Sequence, residues 1–283
     1  ARGQLADGVA AYQRALALEP GYLRAYANLG FAQVKAGDLD AARATYARLL
    51  ALDPADVEAK HMVAALGGAE LDRADPSYVA RFFDDYAARF EKVLVEELAY
   101  DTPRALAELA ARHAPPSGRF ARALDLGCGT GLSGRAVRSF VDALEGVDLS
   151  PKMIDAARAA GGYDELAVDD LLTHMDALTA RERTYALVLA ADVLNYLGVL
   201  DGAIERAARL LDAEGRFVFS IEKRASGARS FALDATGRFS HDPAYVRSLA
   251  GRLGLAVLEE VERPLRLERG APVIGVLFCL GRS

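Results

Sequence analysis

Apolar residues recur at helical spacing from the start of the chain to about residue 66, enough for about four helices punctuated by Pro20 and Pro54. The periodicity lapses over residues 67–75, and Asp75-Pro76 then reads as an N-cap followed by proline at the first helical position. In the helix this predicts, Tyr78, Phe82, Tyr86 and Phe90 recur every four residues with Phe83 alongside, an aromatic stripe that serves either as core or as a lid over a ligand. Ala114-Pro115-Pro116-Ser117-Gly118 stops the helical pattern. Beyond it, short apolar runs at 121–126, 143–147, 165–168, 185–190 and 215–221 alternate with helix-forming stretches such as 132–140 and 151–160. Such alternation predicts an α/β domain, and 255–261 with 273–280 can form a terminal hairpin-like pair. The chain divides into a helical segment at 1–68, linking helices at 69–118 and an α/β domain at 119–283.

The helical segment repeats itself. Pro20 and Pro54 lie 34 residues apart, and Gly3 with Gly37, Tyr12 with Tyr46, Leu16 with Leu50 and Leu18 with Leu52 keep that offset, which is a helix-pair repeat length. In the one whole unit, 23–56, Gly30 and Ala42 let two antiparallel helices approach while Tyr26, Leu29 and Tyr46 fill the groove, a set that resembles the tetratricopeptide consensus. After Ala55 the pattern fades, with Lys60 where a large aromatic would stand. So short a stack rarely buries enough surface to stand alone. These helices should therefore dock on the following domain, continue an upstream array, or meet a protein partner or a second copy of the chain. The chain opens on Ala1 already inside the amphipathic pattern, which suggests a piece of a longer protein and makes the absence of a targeting segment weak evidence.

With 283 residues, 52% hydrophobic and 26% charged, the chain is neither disordered, nor collagen-like, nor a disulfide scaffold. A net charge of −6 with no run of Lys or Arg makes nucleic acid a poor partner. The longest apolar stretch, 185–200, is broken by Asp192 and Asn195 and falls short of a membrane span. The two cysteines, Cys128 and Cys279, stand far apart and fit a reducing, cytoplasmic compartment; with the four histidines they show no metal-ligand spacing.

The first strand runs directly into Asp125-Leu126-Gly127-Cys128-Gly129-Thr130-Gly131, ahead of a helix. A glycine turn placed there brings backbone N–H groups close to a ligand. Residues 129–134 also satisfy G-x-G-x-x-G through Gly134, a weak match to dinucleotide-binding turns. Charge separates the two readings. A pyrophosphate wants donors without a neighbouring carboxylate, whereas Asp125 stands two residues before the first glycine and favours the ammonium and sulfonium of S-adenosylmethionine. The second strand ends in Asp148, 23 residues after Asp125, where a carboxylate takes the ribose hydroxyls of an adenosine or caps the helix that follows. The third ends in Asp169-Asp170-Leu171: one acid, with Asp170 preferred, accepts the adenine amino proton and the apolar residue packs on the ring.

DLGCGTG, GVDLSPKMIDAAR, the VDD turn and LVLAADVLNYL together resemble the successive motifs of class I S-adenosylmethionine-dependent methyltransferases. With the repeats in front, the chain is similar to methyltransferases that contain tetratricopeptide repeats. The resemblance implies a seven-stranded, mostly parallel Rossmann-like sheet whose last strand is antiparallel. It also implies that Gly127, Cys128, Gly129 and Gly131 line the methionine part of the donor, with Leu149 beside Asp148 in the donor site. Ala190 would give a backbone contact to the ammonium, and Tyr86 would help close the site.

Methyl transfer from a sulfonium is an in-line displacement, so positioning of the nucleophile dominates and a general base is optional. Candidates at the sheet edge are Asp192, Asn195, Glu222 and His241, the last read as a loop residue. Arg266, Glu268 and Arg269 read as a solvated charged turn. The methyl acceptor, a small molecule or a protein, is not identified by these residues. An NAD(P)-dependent oxidoreductase and a catalytically silent adaptor that keeps the cofactor are the alternative functions.

Overall fold

The structure, a computed structural model, describes residues 2–87, 90, 98, 100–225, 227, 229–268 and 270–282. Helices α1 (Arg2–Leu18), α2 (Leu23–Ala36), α3 (Leu39–Leu52) and α4 (Val57–Gly67) pack in sequence, each on the next. Asp38 and Asp56 cap α3 and α4 by accepting the Ala41 and Ala59 N–H groups. Gly30 is required by its neighbour: a Cβ there would stand 2.6 Å from the Tyr46 ring. Tyr46 is thereby buried between α2 and α3, and its hydroxyl donates to Glu58 at 3.2 Å.

The repeat docks on the α/β domain through α4. The His61 ring stacks on Tyr78 with centroids 4.3 Å apart, and its Nε2 lies 2.8 Å from the Gly237 carbonyl. Tyr78 belongs to α5 (Pro76–Tyr86), which Asp75 caps by accepting the Ser77 N–H. Gly237 sits at φ 81°, with Met62 Sδ 3.0 Å from where its Cβ would be.

The α/β domain is built on β1 (Phe120–Leu126), β2 (Val141–Asp148), β3 (Glu165–Val168), β4 (Tyr185–Ala190), β5 (Leu211–Lys223), β8 (Leu255–Glu268) and β9 (Ala271–Arg282). Their order is β3-β2-β1-β4-β5-β9-β8; the first five strands are parallel and β9 runs antiparallel to both its neighbours. One face is covered by α6 (Thr102–Arg112) and α7 (Leu132–Val137), the other by α9 (Leu171–Ala180), α10 (Asp201–Leu210) and α11 (Pro243–Arg252). The helix expected over 132–140 ends at Val137 and finishes in a tighter turn over Arg138–Phe140.

Two strands lie outside the expected seven. Past Ala190, the last residue of β4 to pair with it, the end of β5 continues into a further pairing on that edge, Glu222 with Ser240 and Lys223 with His241, so that β7 (Phe239–His241) runs beside it and β6 (Phe231–Leu233) pairs with β7. The segment read as a loop around His241 is therefore a strand, because the extension of β5 supplies the partner it needs.

Candidate active site

At the carboxyl end of β1 the chain turns through Gly127, Gly129 and Gly131, all in the left-handed region at φ 62°, 54° and 91°. A Cβ on Gly127 would stand 2.5 Å from Val193, so the turn lies directly against the segment after β4. Two bonds tie the turn to β2: the Cys128 N–H donates to the Val147 carbonyl at 3.0 Å, and the Gly129 N–H donates to Asp148 Oδ2 at 2.9 Å. Asp148 Oδ1 accepts the Ser150 N–H at 2.9 Å, and burial raises its carboxyl above the ordinary range. Burial and the nearby Asp125 and Asp148 charges likewise raise the Cys128 thiol, which removes it as a nucleophile at neutral pH.

Asp125 is fully buried. Its Oδ2 accepts the Tyr163 hydroxyl proton at 2.6 Å, while Oδ1 has no partner among the described residues. Burial pushes its carboxyl up to about 7 against the pull of the Tyr163 bond. Tyr163 was missed by reading the sequence; the signal lay in Gly131, Gly134 and Gly146, whose Cβ positions would all meet its ring. Gly134, the third glycine of the dinucleotide-like match, is thus a seat for a phenol.

The acids after β3 separate. Asp170 accepts the Leu172 and Thr173 N–H groups as the N-cap of α9 and forms a 2.5 Å ion pair with Arg73, so its carboxylate is committed to holding the fold. Asp169 keeps the more open carboxylate, whose Oδ1 accepts the Asp170 N–H at 2.8 Å. The Leu171 side chain packs into the core between the sheet and α9. Leu149 packs instead with the α5 aromatics.

Over the turn lies the aromatic stripe. Phe83 meets Tyr196 at 5.6 Å and Phe90 at 6.0 Å, Tyr86 meets Phe90 at 5.6 Å, and Phe90 is the side chain nearest Gly129. Asp84 fastens this helix to the start of α8 (Pro151–Ala160): it accepts the Ser150 Oγ proton at 2.6 Å and the Lys152 N–H at 3.3 Å. Tyr100, Pro103 and Ala191, which follows Ala190 at the end of β4, complete a cleft above the turn.

Beside that cleft is a buried ion cluster. Asp192, at φ 55°, takes Ser220 on Oδ1 and Arg266 on Oδ2 at 2.7 Å. Glu222 accepts from Asn195 at 3.1 Å, Arg238 at 2.7 Å and Arg266 at 2.5 Å. Glu268 accepts from Arg266 at 3.0 Å and from Arg238. Burial raises Asp192; the two guanidiniums overcome burial at Glu222 and Glu268, holding the latter at about 2. The reading of Arg266 and Glu268 as a solvated turn is corrected: Arg266 is 5% exposed, because Asp192 and Glu222 reach it from distant segments and Glu268 from its own strand. Arg269 lies outside the described residues.

His241 is not a loop group above the sheet edge. It is fully buried in β7, its Nε2–H donates to the Leu197 carbonyl at 2.8 Å, and burial lowers it to about 4, so it is neutral and engaged away from the cleft. Among the described residues no cluster of His, Cys, Asp and Glu suits a metal, and no helix is long and apolar enough to cross a membrane.

This strand order, with a glycine turn at the end of β1, is the fold of the S-adenosylmethionine-dependent methyltransferases. The magnesium protoporphyrin IX methyltransferase of Synechocystis PCC 6803, solved with bound SAM, superposes with a TM-score of 0.57 at 18% identity, covering 76% of this chain and 100% of that one. The N-methyltransferase NodS of Bradyrhizobium japonicum, in complex with S-adenosylhomocysteine, gives 0.55 at 17%, covering 72% and 98%.

Residues 124–219 match the family described as a methyltransferase domain, and residues 1–66 match the tetratricopeptide repeat. A ubiquinone biosynthesis O-methyltransferase of Bradyrhizobium diazoefficiens is 33% identical over 116 residues, 41% of this chain and 45% of that protein. The human methyltransferase-like protein 27 is 33% identical over 116 residues, 40% and 46% of the two chains. The chain thus spans about half the length of these relatives.

Proposed function

We propose that this chain is an S-adenosylmethionine-dependent methyltransferase. The observation that carries the reading is a pair of carboxylates bracketing the glycine turn, Asp125 with a buried oxygen that has no partner among the described residues and Asp148 with the Gly129 N–H already donated to it. A phosphate-binding turn needs that N–H for its ligand and gains nothing from two acids. A cationic nucleoside has a use for both. S-adenosylmethionine, when bound, supplies an electrophilic methyl group on a sulfonium.

Each residue then has a task. Gly127, Gly129 and Gly131 give the backbone its close approach, and Asp125 accepts from the ammonium. Asp148, with a lone pair left on each oxygen, accepts from the ribose hydroxyls. Asp169 takes the adenine amino group, since Asp170 is held by Arg73 and the helix cap. Tyr86 and Phe90 close the cleft from above and exclude water. On the acceptor side, Asp192 is the carboxylate next to the cleft whose proton affinity burial raises, and Glu222 holds it in place through Arg266. His241 takes no part. A hydroxyl acceptor draws support from the relatives named as O-methyltransferases, and the repeats suggest a protein partner. The two buried free cysteines fit a reducing, cytoplasmic setting.

Calorimetric titration of the wild-type chain with S-adenosylhomocysteine and with NAD tests the reading. Saturable binding of the first and none of the second is expected; the opposite pair of results refutes it.

A further inference from the structure

Tyr163 has no task in the assignment above, yet the glycine turn and Asp125 both depend on it. It stands in the connection between α8 and β3, and its ring fills a space that three glycines leave open. A Cβ on Gly134 would stand 2.3 Å from Tyr163 Cζ, one on Gly146 2.8 Å from Cε1, and one on Gly131 3.1 Å from Cε2. A ring seated this closely has one available position. Its hydroxyl oxygen accepts the Gly134 N–H at 3.1 Å, and its single proton goes to Asp125 Oδ2 at 2.6 Å. Two chain segments distant in sequence thus fix one carboxylate by one of its oxygens.

We infer that Tyr163 is the positioning residue for the donor's ammonium group: it holds Asp125 by Oδ2 and leaves the buried, unpartnered Oδ1 for the cationic end of the ligand. This rests on the assignment of S-adenosylmethionine to the cleft. The same bond favours the ionised carboxylate, which is the form that attracts an ammonium. The other groups facing Asp125 are Asp148 at the tip of β2, Cys128 in the turn and Tyr100 ahead of α6. None of these three donates a hydrogen bond to the carboxylate; the Gly134 backbone N–H also pulls it toward ionisation and is present in wild type and variant alike. Removing the Tyr163 hydroxyl therefore moves Asp125 toward its neutral form and shifts ligand affinity to higher pH.

Tyr163→Phe keeps the ring among its glycines and deletes the proton donor. The measurement is the dissociation constant of S-adenosylhomocysteine, which retains the ammonium, for wild type and variant between pH 6 and pH 9. If the lost bond is worth one pH unit of carboxyl ionisation, the variant binds about tenfold more weakly at pH 6 and within about twofold at pH 9. Contributions from Asp148 and from the ligand's own amine are common to both proteins and cancel in the ratio. In an Asp125→Asn background the same Tyr163 substitution should give a ratio independent of pH. A ratio that stays flat with Asp125 present, at one or at any other value, overturns the inference and leaves Tyr163 a packing residue. If Asp148→Ala weakens binding while the Tyr163 ratio is flat, only this inference falls. If the wild type does not bind the nucleoside, the functional reading falls and this falls with it.

Discussion

Replacing Asp125 by Asn should make the ligand-free protein more stable at pH 8 and no more stable at pH 5. The carboxyl is fully buried and raised from 3.8 to about 7, so the folded chain prefers it neutral. A carboxyl raised on folding contributes stability that is full below its unfolded pKa and is lost as the pH rises through the folded one. Well above pH 7 the folded chain holds a buried charge, and a rise of that size corresponds to a cost on the order of 4 kcal/mol. Asparagine keeps the shape and still accepts from the Tyr163 hydroxyl, but its amino group replaces an oxygen that had no partner, at a cost of about 1–3 kcal/mol. The net gain at pH 8 is on the order of 2 kcal/mol, a rise in Tm of about 3–4 °C for a chain of this size. At pH 5 the wild-type carboxyl is neutral in the folded chain but ionised in the unfolded one, so about 1.6 kcal/mol of the penalty remains and roughly offsets the cost of the amide. Thermal melts followed by circular dichroism at the two pH values read the difference directly. A variant destabilised equally at pH 5 and pH 8 would refute the reasoning, because it would mean that Asp125 carries no buried charge at the higher pH. The same variant should bind S-adenosylhomocysteine at least about tenfold more weakly, since a neutral amide replaces the acceptor for an ammonium.

Two further outcomes follow from the buried polar groups. Arg266→Ala should lower stability by about 3–5 kcal/mol, seen as a reduced midpoint in urea, because it takes from Asp192, Glu222 and Glu268 the buried guanidinium that pairs with all three; an unchanged midpoint would mean the cluster is open to water. The His241 imidazole, lowered to about 4 by burial, should show no change in its NMR chemical shift between pH 6 and pH 8, where an exposed histidine titrates fully.

The parts of this molecule legible in one dimension are those whose physics is local. Pro20 and Pro54 mark the repeat because each ends a helix, and Gly30 announces the close approach that Tyr46 then fills. The strands β1, β2, β4 and β5 were readable because a strand buried on both faces is a short apolar run with a polar residue at its tip. The strand at Phe239–His241 was not readable, since three residues carry no period and their partner is the overhang of β5. Arg266 and Glu268 look like surface charges until Asp192, Glu222 and Arg238 arrive from elsewhere in the chain. Tyr163 is the sharpest case. Its place is specified by three glycines, each of which has a plausible local excuse of its own. The choice between Asp169 and Asp170 likewise depended on Arg73, 97 positions before Asp170.

The central claim is that the acids around the glycine turn receive a sulfur nucleoside, and Asp148 is where it is most exposed to test. Calorimetry with S-adenosylhomocysteine should show Asp148→Ala binding at least about tenfold more weakly than wild type, from the loss of one or two hydrogen bonds to a charged acceptor at about 1.5–3 kcal/mol each. Asp148→Asn, which retains one acceptor oxygen toward Gly129, should fall between the two. Unchanged dissociation constants for both variants would contradict the account.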